Sequence, residues 1–353
     1  MAIVAEQYAF VIGVDTHAAT HSLALVSAAT GGVVDQAVFP NSPAGCDRAL
    51  GWISRGVAGQ SALVVIEGVG SYGAGLARRA TEVGLLVAEP AAMAPGQRRG
   101  LGKTDALDAV RIARSVLAVE SSRLRWPRAE GQRVALRVLV VAREQMTAER
   151  TRVINALTAL LRTVALGVDV RKALAHSQFK VIAGWRGRQE DPVTATCRQE
   201  SIRLAKRIVA LDGELAENRK ALDALVTQAA PELCALPGVG SVVAATVLTA
   251  WSHPGRVRSE AAFATLAGTC PIPASSGNTV RYRLNRGGDR RLNRALTTVV
   301  IVRMRAHPET RAYVARRRAE GRTTKEIMRS LKRYITRQIY RTLAAAHPIP
   351  TGA

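Results

Sequence analysis

Aromatic residues are scarce in this chain of 353 residues, at 4% of its composition. Proteins that bind single strands rely on aromatic side chains for stacking, so base stacking is not expected to be the main binding mode here. Long apolar runs are also missing, and no stretch reaches the length that spans a membrane. The first residues lack the pattern of a signal peptide. We therefore expect a cytoplasmic protein with no membrane partner.

Cysteine motifs are absent as well. The four cysteines lie far apart, without a C-x-x-C pair and without a histidine placed to complete a zinc set. We interpret them as reduced thiols: Cys46, Cys197, Cys234 and Cys270. The chain also lacks the G-x-x-x-x-G-K-[ST] loop that cradles nucleotide phosphates, so no ATP requirement is expected.

Acidic residues are rare in the larger, C-terminal part of the chain. Residues 1–120 hold 9 basic and 10 acidic residues, whereas residues 121–353 hold 41 basic and 17 acidic ones. Residues 281–341 alone hold 19 basic and 4 acidic residues. Self-repulsion of this size is tolerable when a polyanion is the usual partner. The distribution predicts nucleic-acid binding through phosphate neutralisation, which is sensitive to salt.

The first 125 residues alternate between short strands and helices. We predict strands at 8–14, 22–27 and 33–39, with a turn at Gly31 and Gly32 between the last two. A helix at 43–55, a strand at 62–67, a helix at 71–83, a strand at 85–89 and a helix at 104–119 follow. A glycine- and arginine-rich loop at 95–102 precedes the last helix. Three strands followed by this alternation indicate an α/β domain of the ribonuclease H type over residues 1–125.

Four carboxylates lie at strand ends or at a helix start in that domain. Asp15 and Glu67 each end an apolar strand, while Asp105 and Asp108 are three residues apart on one helix face. An all-oxygen ligand set of this kind predicts Mg²⁺ or Mn²⁺. Two such ions can drive phosphodiester cleavage. The nearby His17 and His21 could contact a substrate, but we favour the interpretation that they are solvated residues of a strand turn.

Two long helices are predicted in the middle region, residues 126–230. The helix at 131–165 has apolar residues in two rows at seven-residue spacing, interrupted by Arg143 and Arg150. A second helix covers 198–228, and the mixed segment 166–196 is predicted to be a loop. The seven-residue pattern leaves two alternatives open, a coiled coil between subunits and a hairpin within one chain.

The third region, residues 231–353, opens with Leu-Pro-Gly-Val-Gly before a small-residue helix at 241–250. In a helix-hairpin-helix, glycines such as Gly238 and Gly240 let backbone N–H groups meet a phosphate. A capping box is predicted from Thr323 to Glu326, followed by a helix with apolar residues at four-residue spacing.

Two adjacent serines, Ser275 and Ser276, stand on a proline- and glycine-rich loop just before a basic cluster. A serine at this place could attack a phosphodiester while guanidinium groups hold the phosphate oxygens. The sequence alone does not reveal an activating base. The candidate nucleic-acid-binding residues of the cluster are Arg281, Arg283, Arg286, Arg290, Arg291 and Arg294.

These motifs together resemble the transposases of the insertion-sequence 110 family. The acidic spacing Asp15, Glu67, Asp105-x-x-Asp108 resembles the family's DEDD motif. The Leu-Pro-Gly-Val-Gly string and the block Gly268-x-x-Pro271-x-x-x-x-Ser276-Gly277 resemble its second domain. The resemblance extends from about residue 8 to 345 in the right order.

The resemblance implies a RuvC-like N-terminal domain, a helical coiled-coil arm and a mostly helical C-terminal transposase domain. It implies a bacterial, nucleoid-associated DNA recombinase with a metal-dependent acidic site and a nucleophilic serine, which fits Ser276, with the neighbouring Ser275 as the alternative. It further implies donor and target DNA and a structured non-coding guide RNA as partners, and a dimer or tetramer of this chain.

Two other functions remain open on the sequence. One is a metal-only nuclease such as a junction resolvase, in which the serine loop is structural. The other is a nucleic-acid-binding protein without catalysis, which kept the fold.

Overall fold

The computed structural model describes residues 2–92, 105–128, 131–279 and 282–347. The chain divides into two compact units, Met1–Arg128 and Ala129–Ala353. The predicted separation of the second unit into 126–230 and 231–353 stays a prediction. Among the described residues, no helix combines the length and the apolar character that a bilayer crossing requires.

The first unit is built on a mixed sheet with the strand order β3-β2-β1-β4-β5 in its described part. β1, β2 and β3 pair antiparallel in succession, and β4 and β5 run parallel to β1 on its other side. The strands are β1 (Phe10–Thr16), β2 (Thr20–Ser27), β3 (Val33–Pro40), β4 (Ala62–Ile66) and β5 (Leu86–Ala88). The predicted α/β organisation is confirmed.

Helices cover both faces of this sheet because strand side chains alternate between them. Val11 and Val65 pack beneath one helix, whereas Ile12 and Val14 face the opposite core. The helices are α1 (Val4–Gln7), α2 (Pro43–Val57), α3 (Ala74–Glu82) and α4 (Asp105–Arg114). α4 ends before the predicted 119, and its predicted first residue, like the 95–102 loop, lies outside the described residues.

The second unit begins with α5 (Gln132–Thr163), α6 (His176–Ala183) and α7 (Pro192–Ala229). The prediction of a loop over 166–196 is wrong at 176–183 and from Pro192 onward. Phe179 and Ile182 are three residues apart and both buried against α7, which stabilises α6. α7 starts early because the Asp191 carboxylate accepts hydrogen bonds from the first free N–H groups of the helix.

α5 and α7 pair with each other within the chain, antiparallel, as an intramolecular hairpin. Asn218 donates to the carbonyl of Leu139 at 3.0 Å, and Arg143 donates to the carbonyl of Leu215 at 3.0 Å. Further along, Arg150 forms an ion pair with Asp212. Both arginines that interrupt the apolar rows therefore have acceptors on the facing helix. Burial lowers the pKa of the Arg143 guanidinium.

The remaining helices surround one apolar core that also receives Leu136 and Leu222 from the hairpin. They are α8 (Pro231–Cys234), α9 (Ser241–Trp251), α10 (Glu260–Leu266), α11 (Arg290–Ala306), α12 (Pro308–Ala319) and α13 (Thr324–Ala346). A short hairpin, β6 (Ile272–Pro273) with β7 (Tyr282–Arg283), lies between α10 and α11. The predicted capping box at Thr323 and Glu326 is confirmed.

Candidate active site

The acidic site of the first unit depends on how closely α4 lies on β1. A Cβ atom at Gly13 would lie 2.0 Å from the carbonyl oxygen of Ala109 and 2.6 Å from the nitrogen of Ala113. The backbone of α4 therefore rests directly on the strand at a point that tolerates no side chain. Gln36 of β3 also donates to the carbonyl of Ala106 at 3.1 Å. These contacts fix the first turn of α4, where Asp105 lies.

Asp15 lies two residues after Gly13 and on the same face of β1, so it meets the start of α4. His17 contacts both acidic residues: its Nε2 atom is 3.2 Å from Oδ2 of Asp15 and 3.4 Å from Oδ1 of Asp105. Asp15 is buried, with 8% of its surface exposed, while the other two residues are exposed. One buried and two accessible ligand groups form a site that is anchored in the sheet and open to solvent.

The geometry of this cluster fits one divalent cation. Ligand atoms of Asp15, His17 and Asp105 all lie within 4.8 Å of one another. Neighbouring ligands of an octahedral ion with bonds of about 2.1 Å are about 3 Å apart, close to the two contacts of His17. The two carboxylates suit Mg²⁺ or Mn²⁺, and the imidazole nitrogen, a softer ligand than oxygen, favours Mn²⁺ of the two.

Glu67 and Asp108 lie in the same region but outside this cluster. The backbone of Glu67 continues the ladder between β4 and β1, where its N–H donates to the carbonyl of Val14 at 3.0 Å. Its side chain is exposed beside Thr16, whose hydroxyl donates to the carbonyl of Glu67 at 2.8 Å. Asp108 accepts a hydrogen bond from Arg111 at 3.0 Å. The structure thus brings together two of the four predicted carboxylates, Asp15 and Asp105.

His17 is the residue that sequence reasoning missed. The usable signal was its place two residues after Asp15, at the end of a strand that is followed by a tight connection to β2. The interpretation of His21 as solvated is wrong, because it is fully buried in the sheet opposite Thr16. Burial lowers the pKa of the His21 imidazole.

The serine segment of the second unit is a hairpin rather than an irregular loop. The N–H of Ser276 donates to the carbonyl of Thr279 at 3.2 Å, and the N–H of Thr279 donates back at 3.1 Å. Gly277 has a φ of +55°, which glycine adopts without strain and which allows the chain to reverse here. Ser276 is therefore held by both backbone groups at the exposed tip of the hairpin.

Four of the six predicted arginines cluster around the base of that hairpin. Arg283, Arg286, Arg290 and Arg294 line a common groove beside α11. Arg291 instead contacts Glu144 of α5, with its Nε atom 2.8 Å from the carboxylate. Arg281 lies outside the described residues.

The Leu-Pro-Gly-Val-Gly turn packs on α11. Gly238 has a φ of +76°, and a Cβ there would be 3.3 Å from the carbonyl oxygen of Val299. Arg303 donates from the core to the carbonyl of Pro237 at 2.6 Å. Gly240 is exposed and precedes the first turn of α9. The turn is thus held rigidly, with the start of α9 accessible to solvent.

Comparison with known proteins places these features in one family. Residues 12–165 match the family model DEDD_Tnp_IS110, described as a transposase, and residues 230–315 match "Transposase IS116/IS110/IS902 family". The chain belongs to the IS110 family of transposases. The two matched segments of this transposase contain the acidic cluster and the serine hairpin, respectively.

Two relatives of the transposase are proteins of named insertion elements. The IS900 uncharacterized 42 kDa protein of Mycobacterium paratuberculosis is 29% identical over 316 residues, covering 74% of this chain and 77% of the relative. The IS110 uncharacterized 43.6 kDa protein of Streptomyces coelicolor is 33% identical over 124 residues, covering 33% and 31%. The enzyme is thus a DNA transposase, and its DEDD family together with the acidic cluster indicates use of a divalent metal.

Proposed function

We propose that this transposase cuts and rejoins the DNA of its insertion sequence through a metal-dependent acidic site and a serine nucleophile. The observation that carries the proposal is the cluster of Asp15, His17 and Asp105, which α4 and β1 hold together through backbone contact at Gly13. The RuvC-like character of the first unit belongs to the same proposal. It is supported by the mixed sheet with its three antiparallel strands next to two parallel ones.

Asp15, His17 and Asp105 would hold the metal, with Mg²⁺ or Mn²⁺ as the ion. Glu67 and Asp108 would contribute from the neighbouring strand end and from the next turn of α4. A bound divalent ion polarises the scissile phosphate and stabilises negative charge on the leaving oxygen. Asp15 would keep the site anchored, because its side chain is buried and its strand lies in the middle of the sheet.

Ser276 would provide the nucleophile. Its hydroxyl oxygen would bond to the phosphorus as the bond from the phosphorus to the deoxyribose oxygen breaks, and the serine proton would in net pass to that leaving oxygen. The phosphodiester linkage is thereby kept as a phosphoserine ester, which a deoxyribose hydroxyl can attack in the later rejoining step. The exposed position at the hairpin tip supports this role, because a phosphodiester can approach there. The neighbouring Ser275 is the alternative nucleophile, and single alanine variants of the two serines distinguish them.

Nucleic acid would bind along the basic surface of the second unit. Arg281, Arg283, Arg286, Arg290, Arg291 and Arg294 would neutralise phosphates. The N–H groups in the first turn of α9, which follow Gly240, would bind another phosphate, while Gly238 shapes the turn before them. A structured guide RNA would select donor and target DNA by base pairing. A dimer or tetramer would carry out the exchange. The excess of basic residues in 121–353 supports partners with many phosphates.

The test is formation of the circular junction in cells that carry the native element. Wild type is compared with Ser276→Ala, Ser275→Ala and Asp105→Asn, and the joined ends are detected by amplification across the junction. We expect junctions from wild type and Ser275→Ala, and none from the other two variants. Western blotting of each variant controls for protein level.

Other outcomes would assign a different function. Junctions from Ser276→Ala without junctions from Asp105→Asn would remove the serine nucleophile and leave a metal-only nuclease. Junctions from both variants would exclude catalysis at either place.

A further inference from the structure

A groove of about 1060 Å³ lies at the base of the serine hairpin, between α11 and α13. The hairpin contributes Tyr282 and Arg283, and α11 contributes Arg290 and Arg294. α13 supplies the opposite wall. Its groove-lining residues are Lys325, Met328, Arg329, Ser330, Lys332, Arg333, Tyr334 and Arg337.

The charge of the groove is uniformly positive. Its described lining residues include seven arginines and two lysines and no acidic residue. Glu260 of α10 lies outside the lining and pairs with Arg333 at 2.7 Å and with Arg337 at 3.0 Å. The Arg337 hydrogen bond is the main reason why the pKa of Glu260 is below its usual value. Glu260 thus positions two guanidinium groups while the groove itself keeps a large excess of positive charge.

Lys332 is partly buried in this groove and is oriented from α11. Its Nζ atom donates to Oδ1 of Asn293 at 3.0 Å. This partner is a neutral amide, and burial followed by the nearby Arg329 charge lowers the pKa of Lys332. A partly desolvated ammonium group beside other cations is stabilised when an anion binds. The floor of the groove is therefore suited to a phosphate.

Exposed aromatic rings occur on the same surface. Tyr282 is 64% exposed and Tyr334 is 55% exposed, and both line the groove. Tyr313 contacts Tyr334 edge-on, with ring centroids 6.1 Å apart, which limits the positions of the Tyr334 ring. A positively charged groove that also contains exposed aromatic rings is the arrangement by which proteins bind single strands.

We propose that this groove binds an unpaired strand of nucleic acid, with phosphates on its arginines and lysines and bases stacked on Tyr334 and Tyr282. Stacking requires free base faces, which a duplex does not offer. Tyr282 pairs with Pro273 in the ladder of the serine hairpin. Pro273 is three residues before Ser276, which is about 10 Å of extended chain. A strand stacked on Tyr282 therefore lies near the hairpin tip. The proposal assumes that nucleic acid is the substrate, as in the proposed function, but it needs neither the serine nor the metal.

The test is fluorescence anisotropy of the full-length protein with labelled 12-nucleotide oligo(dT), oligo(U) and a 12-base-pair DNA duplex, in EDTA. Tyr334→Leu and Tyr282→Leu are compared with Tyr72→Leu, which replaces a similarly exposed tyrosine of the first unit. We expect each groove variant to bind single strands about five- to hundredfold more weakly. Duplex binding and the Tyr72→Leu control are expected to match wild type. Thermal unfolding establishes that each variant is folded.

Unchanged single-strand affinity in both groove variants would overturn the proposal, as would equal losses for single strand and duplex. The ratio of oligo(dT) to oligo(U) binding tells whether DNA or RNA is the preferred strand. The anisotropy measurement in EDTA needs neither metal nor strand transfer. Weakened single-strand binding by the tyrosine variants therefore concerns the groove, whereas failure of Ser276→Ala or Asp105→Asn in junction formation concerns the chemistry.

Discussion

The acidic cluster of the first unit and the basic groove of the second are built by different means. The cluster depends on backbone contact between α4 and β1 at Gly13, and it contains three ligand groups. The groove depends on nine cationic side chains from several elements, each of which contributes a part of the field. One added atom at Gly13 is enough to disrupt the acidic cluster. Removing one cation from the groove is expected to weaken binding only partly, because the other charges remain.

The largest effect is expected from Gly13→Ala. The added Cβ would overlap the Ala109 carbonyl, and since backbone cannot repack as a side chain does, we expect a loss of about 3 kcal/mol or more of unfolding free energy. Urea unfolding measures the loss. Gly75→Ala is the matched control, because a Cβ there has no neighbour within 4 Å. Wild-type stability of Gly13→Ala would contradict the close approach of α4.

His17→Ala is expected to weaken Mn²⁺ binding by at least about tenfold, since even the loss of an outer-shell partner costs about that much and the cluster here loses a direct nitrogen ligand. Electron paramagnetic resonance of free Mn²⁺ measures the dissociation constant without requiring activity. His176→Ala removes an exposed histidine of the second unit and is the control. Equal Mn²⁺ affinity in wild type and His17→Ala would remove His17 from the ligand set.

Glu260→Gln tests the ion pairs of Glu260 with Arg333 and Arg337, through the pH dependence of the melting temperature. Hydrogen bonds from arginine place the folded pKa of Glu260 below its ordinary value of 4.5. Its stabilising contribution is therefore present above pH 4.5 and is lost as pH falls through the folded pKa. We expect the melting temperature of wild type to fall more steeply below pH 4.5 than that of Glu260→Gln. A Glu217→Gln control, on the exposed side of α7, should follow wild type, and a parallel decline of all three proteins would contradict the prediction.

The smallest effect is expected from single groove cations. Arg329→Gln should lower the salt slope of oligo(dT) binding by about 0.7, the value for one phosphate contact of a single strand. Anisotropy titrations between low and moderate salt measure the slope. Arg311→Gln removes an exposed arginine of α12 that does not line the groove, and it should leave the slope unchanged. An equal decrease of the salt slope in both variants would mean that the groove is not the site where the oligonucleotide binds.

The order of strands and helices was predictable because it follows from local patterns. Apolar runs ending at Val14 and Ile66 fixed β1 and β4 to within two residues, and the Thr323–Glu326 pair located the start of α13. α6 was missed because its two buried residues, Phe179 and Ile182, are too few to establish a helical period.

The candidate site was harder to predict, since it depends on contacts between distant segments. Asp15 and Asp105 were found from their positions at a strand end and a helix start. His17 was not, because its role depends on α4 lying within reach of the β1 end, which the sequence does not encode locally. The contribution of α13 to the groove likewise appears only when Lys332 and Asn293 are brought together.

The polar contacts between α5 and α7 also fix the distance between the two ends of this helix pair. The 32-residue helix α5 spans about 48 Å. The contacts of Leu139, Arg143 and Arg150 with α7 follow one another along the helix axis and set the register of the pair. Sliding the helices by one turn would separate Arg150 from Asp212 and Arg143 from the Leu215 carbonyl at the same time. The two helices therefore resist shear, and whatever binds at one end of the pair lies at a constant distance from whatever binds at the other.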